Sequence, residues 1–133
     1  MKYASSLSLV LLTTVLALTA CSPINDPTTT TPKLSATIPA QFHGTWTHNT
    51  SGLHPVGGEE PYVLTADKVQ SHETYGDVRS VTILGDAAIT VVQDVSSEGT
   101  EWTDETHFKL SPDGSRLEIK GSEGAPVTLY RVR

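Results

Sequence analysis

The chain has a single cysteine in 133 residues, Cys21, so no disulfide can form within it and its folded part must be held by its core alone. No apolar run is long enough for a membrane span, which takes about 20 residues. The nearest candidate, Leu7 to Leu18, is shorter and is interrupted by Ser8, Thr13 and Thr14. Basic residues are few: nine Lys and Arg stand against fifteen Asp and Glu, a formal charge of −6. That balance argues against nucleic acid as a partner. From Ile38 onward, no window of about eleven residues carries a helical period. Catalytic signatures are also missing. No Gly-x-Ser-x-Gly occurs, and Gly57-Gly58 lacks the lysine and spacing of a phosphate loop. Without a nucleophile, base or metal constellation, the expectation is a non-enzymatic protein with no catalytic residue, resident metal or cofactor.

What is present divides the chain into three parts. Residues 1–20 hold Lys2, the apolar run and a small residue, Ala20, at the end, as a secretory leader requires. The leader closes on Leu18-Thr19-Ala20-Cys21, with the cysteine at the cut itself. This run resembles the lipobox of bacterial lipoproteins. The resemblance implies cleavage between Ala20 and Cys21, lipid attachment at Cys21 and, in most Gram-negative hosts, three acyl chains there. Ser22 follows where an aspartate would imply inner-membrane retention, so the resemblance points to the outer membrane, on its periplasmic face or at the cell surface. Lipidation also removes a thiol that would be reactive in an oxidising compartment.

Residues 21–37 form the lipidated cysteine and a linker. Three prolines and four consecutive threonines leave almost nothing apolar to bury. Held as polyproline II, the sixteen residues after Cys21 reach roughly 50 Å. Without the leader, eight Lys and Arg face fifteen Asp and Glu, a formal charge of −7. Membrane attachment therefore rests on the anchor at Cys21 and not on basic residues.

Residues 38–133 are enough for one domain. Phe108 and Leu110 alternate with polar neighbours, Ser111-Pro112-Asp113-Gly114 supplies a turn, and Leu117 and Ile119 resume the alternation. Gly85-Asp86 between Val81/Ile83 and Ile89/Val91 predicts a second hairpin, and Ala66-Asp67 a third, with a helical turn over Ala66 to Ser71 as the local alternative. A closing strand is expected over Val127 to Val132. The elements sum to an all-β meander of about eight strands. Closure into a small antiparallel up-and-down barrel removes its edges, with a two-sheet sandwich as the structural rival.

The opening strand reads Phe42-His43-Gly44-Thr45-Trp46, and the closing one Leu129-Tyr130-Arg131-Val132. Gly-x-Trp at the start with an arginine at the end resembles lipocalins and the wider calycin group. The resemblance implies that Arg131 lies over Trp46 to close the barrel bottom and that Gly44 permits close backbone approach. The chain is shorter than most lipocalins, which implies a shallow cup.

The remaining polar residues are weaker signals. His43, His48 and His54 lie close in sequence, with His72 and His107 further on. A metal site from His48, His54 and His72 competes with the preferred account of solvated histidines. Glu98, Glu101, Asp104 and Glu105 read as a solvated acidic rim. The functional expectation is a barrel that binds a small apolar or amphipathic ligand, with His54 to Val63 as a lid. The alternatives are a rigid platform for an envelope protein, as inhibitor or assembly factor, and a structural envelope lipoprotein.

Overall fold

In a computed structural model of the protein, residues 31–52 and 60–133 are described. Ala20, Cys21, most of the linker, and His54 with the first part of the expected lid lie outside the described residues. The elements are β1 (Lys33–Ser35), a 3₁₀ turn (Ala40–Phe42), β2 (Gly44–Thr47), β3 (Tyr62–Leu64), β4 (Lys68–Ser71), β5 (Thr74–Gly85), β6 (Ala88–Ser97), β7 (Thr100–Leu110), β8 (Arg116–Lys120) and β9 (Val127–Arg131). From β2 to β9 each strand pairs antiparallel with the next, and β9 returns to pair with β2. The fold is all-β: a closed eight-stranded up-and-down barrel with one additional strand, β1.

Local chemistry explains the turns. Gly114 takes φ +68° at the end of the β7–β8 turn and donates its N–H to Ser111 O at 2.9 Å, a conformation that suits glycine. Asp113 accepts from the Ser111 hydroxyl, the Ser115 hydroxyl and the Ser115 N–H. Those bonds, led by the one from Ser111, hold its carboxyl well below the usual carboxylate range. Between β3 and β4, Thr65 N–H donates to Lys68 O at 3.0 Å. Lys68–Ser71 is a strand, so the helical alternative over Ala66 to Ser71 does not form; pairing with both β3 and β5 outweighs it.

β5 carries an irregularity that shapes the barrel. Val78 faces Gln93 but Ser80 faces Val92, so Arg79 is an extra residue. The inward set consequently changes from Gly76 and Val78 to Val81 and Ile83. Such a bulge increases local twist and bend, which closure of a small barrel demands. β4 covers only the first part of β5, and β1 pairs with Val81, Thr82 and Ile83 beyond it. The folded part therefore reaches back to Lys33, inside the tract read as linker. Leu34 remains exposed, so backbone pairing rather than apolar burial holds β1 there.

The interior is filled from one end. Ile38, Phe42, Trp46, Leu64, Val81, Ile89, Val91, Phe108, Leu117 and Leu129 are all buried. An eight-stranded barrel is just wide enough for side chains to occupy its axis. Each such large apolar side chain contributes about 1.5–3 kcal/mol by leaving water. This packing substitutes for the missing disulfide.

Candidate functional site

The two ends of the barrel differ. At one end the 3₁₀ turn folds Phe42 beneath the strands, and Trp46 Nε1 donates to Phe42 O at 3.2 Å. Trp46 and Arg131 are direct partners across β2 and β9. The Arg131 guanidinium carbon lies 4.2 Å from the Trp46 ring centroid. Its fork donates to three backbone carbonyls: Nε to Gly114 at 3.0 Å, Nη1 to His43 at 2.7 Å and Nη2 to Gln41 at 2.7 Å. One planar cation thereby ties the 3₁₀ turn, β2 and the β7–β8 turn together. Gly44 has φ +133°, and a Cβ there would stand 3.0 Å from Arg131 Nη1. The structure thus brings Gly44, Trp46 and Arg131 together and seals this end.

The other end is open. Tyr62, Val69, Val95, Trp102, Ile119 and Gly121 border a cavity of about 210 Å³ that also reaches Gln93, Asp104 and Thr106. Its base rests on packed aromatics, with the Tyr62 and Phe108 ring centroids 6.3 Å apart. Trp102 stands at the margin, 44% exposed. A chain of polar groups runs along the wall. Gln93 Nε2 donates to Thr106 Oγ1 at 3.2 Å, Thr106 Oγ1 donates to Asp104 Oδ2 at 2.9 Å, and Ser122 Oγ donates to Asp104 Oδ1 at 2.8 Å. Gln93 Oε1 is buried and has no partner among the described residues. The Tyr62 phenol is pushed above its ordinary range, first by burial and then by the Asp104 charge. It therefore stays protonated, a neutral donor beside a carboxylate.

Asp104 departs from its reading as part of a solvated rim. It lies on the inner face of β7, two residues from Thr106 and four from Phe108, and is half-buried. Glu98, Glu101 and Glu105 are exposed, as that reading expected. Gln93, Thr106 and Ser122 were not singled out by sequence reasoning. Neither was Gly76, where a Cβ would collide with the Gln93 carbonyl oxygen. Its signal was available: a glycine inside a strand pattern marks close approach of another group.

His43, His72 and His107 each have a different partner. His43 Nε2 contacts Ile38 O at 2.8 Å, His107 Nδ1 contacts Thr90 Oγ1 at 2.7 Å, and His72 lies 3.5 Å from Glu60. Among the described residues, no group of three His, Cys, Asp or Glu could hold a metal ion. His54, the middle member of the candidate metal set, lies outside them. No family model, curated protein or solved structure matches this chain.

Proposed function

We propose that this chain is a non-enzymatic envelope lipoprotein, anchored through Cys21, whose lipocalin-like barrel binds a small amphipathic molecule in its open end. The single observation that carries this reading is the contrast between the ends. One is sealed by Arg131 over Trp46, and the other holds a cavity of about 210 Å³ between apolar walls and buried polar groups. Pockets that enclose drug-sized ligands measure about 300–1,000 Å³. This one suits a fragment-sized molecule, or one end of a longer one, because Trp46, Phe42 and Phe108 fill the lower barrel. The leader, the Leu18-to-Cys21 run and the linker support the anchored location.

The filled lower barrel, with Leu84 exposed on its outer face, favours a protein-binding platform as second reading. Native mass spectrometry separates the two. The chain from residue 21, carrying Cys21→Ser and purified gently from a bacterial periplasm, should retain a small-molecule adduct that leaves on denaturation. A bare mass would move the assignment to a protein partner, to be captured by crosslinking in the envelope. For the anchor, labelled palmitate should enter the full-length chain and fail to enter its Cys21→Ser variant.

A further inference from the structure

Resting on the ligand-binding reading above, we infer that the open end selects an organic ammonium, whose N–H groups meet the Gln93 carbonyl oxygen and the Asp104 carboxylate. The orientation of the Gln93 amide follows from its neighbours. A carboxylate can only accept, so the Thr106 hydroxyl proton is committed to Asp104 Oδ2. The remaining valence of Thr106 Oγ1 needs a donor, which places Gln93 Nε2 against it. Gln93 Oε1 is then left as a bare acceptor on a side chain only 5% exposed, with no donor for it among the described residues. Gly76 makes the room in which that oxygen sits.

Asp104 faces Gln93 directly across β6 and β7, a spacing of about 5 Å between Cβ atoms. Each Asp104 oxygen accepts from one hydroxyl, and no Lys, Arg or His forms an ion pair with it among the described residues. Beside the hydroxyls of Tyr62, Ser71 and Thr74, the cavity wall therefore holds the Gln93 acceptor and one uncompensated negative charge. A carboxylate or phosphate ligand would add acceptors and repulsion, and an alcohol would bring a single donor. An ammonium brings three donors, no acceptor and the opposite charge. Val69, Val95 and Ile119 can take its carbon chain, and the face of Trp102 is available to the cation.

The test titrates the chain from residue 21, carrying Cys21→Ser, with four six-carbon probes: hexylammonium, hexyltrimethylammonium, hexanol and hexanoate. Tryptophan fluorescence and Tm are the readouts. Hexylammonium should bind at least about tenfold more tightly than each of the others. Its advantage over hexanol should vanish in Asp104→Asn and fall about tenfold in Gln93→Leu. Asp104→Asn preserves shape, so it keeps the test decisive if Gln93→Leu unfolds. Equal binding of hexyltrimethylammonium would overturn the role of the N–H donors. Tighter binding of hexanol or hexanoate would overturn the ammonium assignment and leave the ligand-binding reading standing. Stabilisation by calcium or magnesium chloride without any by hexylammonium would replace the inference with an inorganic cation site. No response to any probe would overturn the inference. A bare native mass alongside it would end the ligand-binding reading as well.

Discussion

Removing the Arg131 guanidinium strips the Trp46 ring of its cover and leaves the Gln41, His43 and Gly114 carbonyls without their shared donor. Arg131→Ala should cost about 2–4 kcal/mol, the stacked cation and the lost bonds together. Thermal unfolding should register a Tm lower by at least about 8 °C for a domain of this size. Arg131→Lys keeps the charge but not the fork, and should recover less than half of the loss. An unchanged Tm in Arg131→Ala would dismiss the seal. Tyr62 offers a second residue-level test, by tyrosinate absorbance. Its folded pKa is raised, so its contribution to stability is complete below the unfolded value near 10 and is lost as pH rises through the folded one. Asp104→Asn removes the second cause of the shift and should bring Tyr62 ionisation to lower pH.

The strands and turns divide by how local their causes are. The β7–β8 hairpin was legible because its turn is written in consecutive residues, Ser111 to Gly114, and alternation resumes on both sides. Its pH response follows from Asp113. A depressed carboxyl stabilises above its unfolded pKa and loses that stabilisation as pH falls through the folded one. Wild type should therefore be more stable than Asp113→Asn at neutral pH, with the gap closing below about pH 3 in urea melts. The β5 bulge was not legible, because one extra residue at Arg79 moves the inward set from even to odd positions and no local residue announces it. β1 was hidden for another reason: its pairing is backbone only, and its neighbours read as linker. Counting back from Phe108 by twos reaches Thr106, Asp104 and Trp102, so the inner face of β7 was available to the reader. The charge of the segment obscured it.

Across the whole molecule, one barrel divides its volume between a packed half and a polar cavity. The packed half compensates for the missing disulfide, and the Gly76–Gln93 fit marks where packing gives way to a polar cavity. Gly76→Ala would displace the Gln93 amide and should cost about 1–3 kcal/mol in denaturant melts, together with any ligand stabilisation. The seal was foreseeable from a short motif at each end of the domain. The polar site was not, because Gln93, Asp104, Thr106 and Ser122 lie on two strands and a loop that only the closed barrel unites. The most direct measurement compares backbone amide NMR spectra of the chain as purified from the envelope with the same chain refolded after denaturation. A ligand in the open end predicts shifts concentrated at Gly76, Gln93, Asp104 and Gly121, with Gly44, Gly114 and Arg131 unmoved. Superimposable spectra, or shifts centred on the outer face around Leu84, would contradict it.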